Sequence, residues 1–262
     1  MIPLGISSWF GYELPLNERL DMIVKVDFST TCLWLGEEEG MVSNGQADAM
    51  PEMVRERGLT LDNVHAPFRH CNFFRSESQS EKLLVRQDYE KSLFFCDKHH
   101  IPIMVIHITG GTNPPPLTRA GMQIIRDLVS LAENAGVTIA LENTRRPDYL
   151  EAIFSEIQSA NLGFCYDSSH DFLHGQSQGR LLKKWGSFLA TTHISDSKGD
   201  SDDHLLLGEG TIDWHKFAES FPRSTYNGPL LLEVEKHDAE LPPERFLQMS
   251  YEKVRELAEM LE

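Results

Sequence analysis

The chain has 262 residues, of which 40% are hydrophobic, enough to bury a sizeable core and few enough for one large domain. Its 40 acidic residues outnumber 24 basic ones, and the formal charge of −16 argues against a surface that coats nucleic acid. No stretch approaches the ~20 apolar residues of a membrane span, and four scattered cysteines without a CxxC pair, Cys32, Cys71, Cys96 and Cys165, predict free thiols in a reducing cytoplasm.

The N-terminal Met1-Ile2-Pro3-Leu4-Gly5 lacks the basic start of a secretory signal and reads directly as a strand. Strand 2–7 is followed by a helical pattern at 17–26, strand 31–35 by helix 47–57, and strand 60–65 by helix 80–98. Strand 103–108 then precedes helix 118–134, strand 138–142 helix 149–159, and strand 162–167 helix 179–185. Strand 188–193 precedes helix 214–220, and strand 229–233 precedes helix 244–261. The run Ile101-Pro102-Ile103-Met104-Val105-Ile106 is nearly continuous in apolar residues, as in a parallel strand covered on both faces. Arg57-Gly58 and Ala135-Gly136 are helix stops placed just before strands. Pro114-Pro115-Pro116 reads as a stiff loop, and no linker divides the chain. Eight strands alternating with eight helices predict a single (β/α)₈ TIM barrel over residues 1–262; a doubly wound open sheet is the alternative that alternation alone allows.

The chemistry-bearing side chains fall at the ends of these strands. His65 ends the third, His107 the fourth, Glu142 the fifth, Asp167 the sixth, His193 the seventh and Glu233 the eighth. Barrel enzymes build their active sites at that face. Imidazoles and carboxylates are ligands for divalent metals. A single strand-end His is usually a hydrogen-bonded structural residue, and a single Glu a helix cap. Six successive strand ends of this kind point instead to one metal site.

Several stretches resemble the xylose isomerase-like TIM barrel superfamily, which holds sugar (and sugar phosphate) isomerases and epimerases together with the endonuclease IV type of AP endonuclease. They are Val64-His65-Ala66-Pro67-Phe68, Ala140-Leu141-Glu142-Asn143-Thr144, Gly163-Phe164-Cys165-Tyr166-Asp167-Ser168-Ser169-His170 and His193-Ile194-Ser195-Asp196. The run from Asp202-Asp203-His204 through Gly208-Glu209-Gly210 to Trp214 is the most specific. The epimerase branch implies one ion on Glu142, Asp167, His193 and Glu233, with Glu142 and Glu233 as the catalytic proton-transfer pair. The endonuclease branch implies three zincs, adding His65, His107, His170, Asp202 and His204. The resemblance thus implies one to three divalent ions (Zn, Mn, Mg or Co), the second set of residues being either further metal ligands or substrate contacts.

The loop Phe68-Arg69-His70-Cys71-Asn72-Phe73-Phe74-Arg75 lacks the DNA-inserting pattern of those endonucleases, so Phe73 and Phe74 are expected to pack on a helix. Trp9, Trp34, Phe68 and Lys198 are candidate substrate contacts, and Glu37, Glu38 and Glu39 read as a solvated loop. The expected function is metal-dependent isomerisation or epimerisation of a small polyhydroxylated substrate, with an endonuclease IV-like zinc phosphodiesterase as the alternative. Nucleic acid and membrane are not expected partners. Acidic cytoplasmic barrels often self-associate, which makes a homo-oligomer an expectation.

Overall fold

The computed structural model describes residues 2–36, 46–111, 113, 114 and 116–262. Glu37, Glu38, Glu39 and Pro115 lie outside the described residues. The strands are β1 (Leu4–Ser7), β2 (Thr30–Trp34), β3 (Thr60–His65), β4 (Ile103–Ile106), β5 (Thr138–Glu142), β6 (Leu162–Asp167), β7 (Leu189–His193) and β8 (Leu230–Leu232). The α-helices are α1 (Leu16–Lys25), α2 (Met50–Arg55), α3 (Gln79–Lys98), α4 (Arg119–Ala135), α5 (Pro147–Glu156), α6 (Ser168–His174), α7 (Arg180–Trp185), α8 (Trp214–Ser220) and α9 (Pro243–Met260).

Neighbouring strands pair in the order β7-β6-β5-β4-β3-β2-β1-β8, each pair parallel. Just beyond β7, Ile194 bridges to Leu232. Its N–H donates to Leu231 O at 2.9 Å, and Glu233 N–H donates to Ile194 O at 3.0 Å, which closes the barrel. The open-sheet alternative is thereby excluded.

The main apolar core lies between strands and helices. Helix α4 shows why: Met122, Ile125, Leu128, Val129 and Ala132 recur at helical spacing and are buried together. The Thr118 hydroxyl accepts the Gly121 N–H at 3.1 Å at its start, a cap that contributes ~1 kcal/mol. Gly136, at φ 67°, ends the helix in the left-handed conformation that glycine adopts without strain. Inside the barrel the filling is small, with Val105, Ala140 and Cys165 fully buried. Register shifts fall between Thr31 and Cys32 and between Phe164 and Cys165.

Two expectations need correction. Helix α5 begins at Pro147, two residues earlier than predicted, because proline is tolerated in the first turn. Helix α6 was not predicted at all. Its seven residues carry too little periodic apolar pattern to register, and it forms because the Asp167 carboxylate caps it.

Candidate metal centre

The barrel brings the strand-end residues to one height. His65, Glu142, Asp167 and His193 close β3, β5, β6 and β7, while His107 and Glu233 follow β4 and β8 by one residue. Asn143 locks two of these ends together: its amide donates to Asp167 O at 2.8 Å, and its oxygen accepts Asp167 N–H at 2.7 Å. Asp167 Oδ1 accepts the His170 N–H at 2.7 Å and the Ser169 hydroxyl at 3.0 Å. The first turn of α6 therefore carries His170 back over Glu142.

The loop after β7 is organised by Asp196, which is 1% exposed. Its carboxylate accepts the N–H groups of Ser197, Gly208 and Ile212 at 2.9, 2.8 and 3.1 Å, and the Trp214 indole at 3.3 Å. A buried carboxylate so satisfied folds the loop inward and returns Asp202 and His204 to the barrel mouth. His204 is held left-handed at φ 47°, a conformation costing ~1–2 kcal/mol. Its Nδ1 donates to Glu233 O at 3.1 Å, and its carbonyl accepts Glu235 N–H at 2.9 Å.

Glu142 sits at the centre. Its Oε2 lies 3.3 Å from His65 Nε2, 3.2 Å from His107 Nε2 and 3.3 Å from His193 Nδ1, and its Oε1 lies 3.1 Å from His170 Nδ1. His193 Nδ1 is also 2.9 Å from Glu233 Oε2. Asp202 Oδ2 joins His170 Nε2 at 2.9 Å and His204 Nε2 at 3.4 Å. One ligand atom from each of Glu142, Asp167, His193 and Glu233 falls within 4.8 Å of the others, and the same holds for His65, His107 and Glu142.

These groups fit a cation better than they fit each other. Asp167 Oδ2, His170 Nδ1 and both ring nitrogens of His193 are buried without an aligned hydrogen-bond partner among the described residues. Leaving such atoms unpaired is costly unless a further ligand satisfies them, and a divalent ion accepts a lone pair from a carboxylate oxygen and from one nitrogen of an imidazole.

The electrostatics agree. Burial alone would raise the Glu142 carboxyl, but His107 and His193 beside it hold it well below the ordinary carboxylate range. Burial likewise opposes the charge on Glu233, yet His193 and His204 lower it to about 2. Burial pushes His107 below its ordinary value, toward the neutral form that ligates metal. Burial disfavours charge on His170 and His193 as well. Asp167 and Asp202 around the first, and Cys165, Glu233 and Glu142 around the second, nonetheless raise both well above the ordinary value. Asp167 goes up to about 6, through burial and the charges of Glu142, Asp202 and Glu233. An excess of buried carboxylate is thus balanced by imidazolium protons, the positive charge that a bound cation supplies instead.

Above the cluster opens a cavity of about 520 Å³. Trp9, Trp34 and Phe68 line it, with Trp34 and Phe68 stacked at 6.1 Å and Phe68 stacked on His107 at 4.6 Å. Lys198 does not line it. Its N–H donates to Asp203 Oδ2 at 3.2 Å, and the residue is exposed. Phe74 stacks on Tyr89 of α3 at 5.4 Å, and Phe73 stacks on His70 at 5.0 Å. Sequence reasoning missed Glu235, which accepts the Trp9 indole N–H at 3.0 Å and faces the cavity. It also missed His174, one turn beyond His170 on α6. The i, i+4 pair His170/His174 was the available signal, hidden because α6 was unseen.

A family model described as "Xylose isomerase-like TIM barrel" matches residues 34–261. The Sinorhizobium fredii protein y4fM is 32% identical over 289 aligned positions, covering 95% of this chain and 91% of that protein. L-ribulose-5-phosphate 3-epimerase UlaE of Escherichia coli is 22% identical, covering 92% of this chain and 90% of that protein. Among solved structures, D-psicose 3-epimerase of Clostridium cellulolyticum H10 superposes with a TM-score of 0.77 at 16% identity, covering all of both chains. An L-ribulose 3-epimerase superposes with a TM-score of 0.80 at 14% identity, covering 100% of this chain and 95% of that one. With the closed parallel barrel, the strand-end cluster and a family match over most of its length, this chain belongs to the xylose isomerase-like TIM barrel family.

Proposed function

We propose that the chain is a divalent-metal-dependent isomerase or epimerase of a ketose or ketose-like polyhydroxylated molecule, moving a proton at the carbon beside a carbonyl. The observation that supports this most is the group of Glu142, Asp167, His193 and Glu233, whose ligand atoms lie within 4.8 Å of one another at the floor of the aromatic-walled cavity. The names of the similar proteins, 3-epimerases of psicose, ribulose and ribulose 5-phosphate, point the same way.

Those four residues would hold the ion, whether Zn²⁺, Mn²⁺, Mg²⁺ or Co²⁺, and when bound it supplies Lewis-acid stabilisation of the charge that develops on the substrate oxygens. The proton is handled by Glu142 and Glu233. Their Oε2 atoms approach His193 Nδ1 at 3.3 and 2.9 Å, so the two carboxylates flank one point. Both are held ionised, so either can accept a proton from the C–H; the acid so formed can return it to the same carbon or its neighbour, and return to the opposite face requires the other carboxylate first to take up a proton from solvent. Trp34 and Phe68 offer an apolar wall for the C–H face of the substrate and keep water from it.

His65, His107, His170, Asp202 and His204 serve in this reading as hydrogen-bonding groups toward substrate oxygens. A second reading is favoured by one observation: His65, His107 and Glu142 form a further metal-type group, and His170, Asp202 and His204 a third constellation. Loaded with three zincs, that set would suit an endonuclease IV-like phosphodiesterase.

The deciding experiment combines elemental analysis with proton exchange in deuterated water. One ion per chain, with deuterium entering a ketose beside its carbonyl, is the expected result. Three zincs per chain and no exchange into any ketose tested would overturn the isomerase reading.

A further inference from the structure

We propose that Glu142, Cys165 and His193 form a second, deeper cation position that takes thiophilic divalent ions, such as cadmium, in place of the ion on the carboxylate-rich group. The inference does not depend on which reaction the site performs.

One ligand atom from each of the three residues lies within 4.8 Å of the other two, and all three residues are buried. Cys165 is on β6, one inward-facing position before Asp167, where the register shifts against β7. A shift of that kind re-aims side chains locally. Around it the barrel is filled by Val105 and Ala140, with Ile103 and Ala190 partly buried alongside. Thr191, paired with Cys165 across to β7, is buried at the same level, where its hydroxyl donates to Asp62 Oδ2 at 2.7 Å and accepts from the Asn63 amide at 3.2 Å.

The thiol does not stand alone. His193 is 1% exposed, and neither of its ring nitrogens has an aligned hydrogen-bond partner among the described residues. The imidazole borders both the thiol and the carboxylates of Glu142 and Glu233, and so belongs to both ligand groups.

Ligand softness separates the two positions. The group Glu142, Asp167, His193 and Glu233 offers three carboxylates and one imidazole, a set for hard and borderline ions. The deeper group exchanges two carboxylates for a sulfur, which favours soft ions. When the sulfur–metal bond forms, the thiol proton is released to solvent. Because Glu142 and His193 are common to both, the two positions cannot be filled independently, and a soft ion at the deeper one displaces the resident ion.

The test is a titration of manganese-loaded protein with cadmium chloride, following the sulfur-to-cadmium charge-transfer absorption together with manganese release. The expected result is a band that saturates at one cadmium per chain while manganese leaves. Cys165→Ser should lose the band and need about tenfold more cadmium to release manganese. Cys32→Ser and Cys71→Ser, at the thiols that line the cavity, should keep it. X-ray absorption on the unmutated cadmium protein reads the same point without any variant, and should show one sulfur neighbour. No band and no sulfur neighbour, or a band that survives in both Cys165→Ser and Cys165→Ala, would overturn the proposal.

Discussion

Asp167→Asn removes a negative charge from a fully buried site while keeping the oxygen that caps α6. Oδ1 would still accept the His170 N–H and the Ser169 hydroxyl, as it does at 2.7 and 3.0 Å. Oδ2, the atom replaced, has no hydrogen-bond partner among the described residues. Burial and the charges of Glu142, Asp202 and Glu233 lift this carboxyl from the ordinary 3.8 to about 6, against the opposing pull of His170. A rise of roughly two units corresponds to about 3 kcal/mol of unfavourable charge in the metal-free fold. The amide must itself be desolvated, so a net gain of ~1–2 kcal/mol is expected, or roughly 2–8 °C in a domain of this size. The folded value lies above the unfolded one, so the charge costs nothing below about pH 4 and its full amount above about pH 6. The variant should therefore melt higher than the unmutated protein near pH 8 in chelator, with the advantage fading toward pH 4. Metal reverses the order. A saturating ion at a hundredfold excess over its dissociation constant adds ~2.7 kcal/mol to the unmutated protein, whereas the variant, short of one ligand, should gain little. Scanning calorimetry with and without metal measures both. A metal-free variant that melts below the unmutated protein near pH 8, or one stabilised equally by metal, would refute the reasoning.

Three further outcomes are expected. Glu142→Gln should retain part of the metal affinity and lose at least a hundredfold in proton exchange, because an amide oxygen ligates but does not shuttle a proton; exchange within threefold of the unmutated rate would remove Glu142 from the catalytic pair. Metal binding near pH 7 should release at least one proton per ion and tighten as pH rises, since His193 is held well above its ordinary value by Cys165, Glu233 and Glu142 and must deprotonate to ligate. Calorimetric titration in two buffers of different ionisation heat checks this, and identical heats in both would contradict it. Zinc-loaded protein should not incise a duplex carrying one abasic residue at low salt, because a −16 chain lacks the field to hold a polyanion; efficient cleavage that vanishes in Glu142→Gln would promote the phosphodiesterase reading.

Much of this was legible in the sequence because a parallel barrel obeys local rules. Strands buried on both faces must be apolar throughout, as at Ile103–Ile106, and helices must show one apolar stripe, as in α4. A carboxylate or imidazole closing such a strand has one place to go, the barrel mouth, so Glu142, Asp167 and His193 could be assigned to a common site from their positions alone. What only the tertiary structure decided depends on contacts between residues far apart in the chain. Helix α6 exists through one side-chain cap at Asp167, below the length at which periodicity can be read. Lys198 is exposed, its N–H bonded to Asp203, whereas Asp202, in the same loop, is brought in by the buried Asp196 and its four donors. Glu235 reaches the cavity by pairing with Trp9, 226 positions away. Cys165 looked like an ordinary core thiol, since the sequence pattern records that a residue is buried but not which imidazole and carboxylate the closed barrel places beside it.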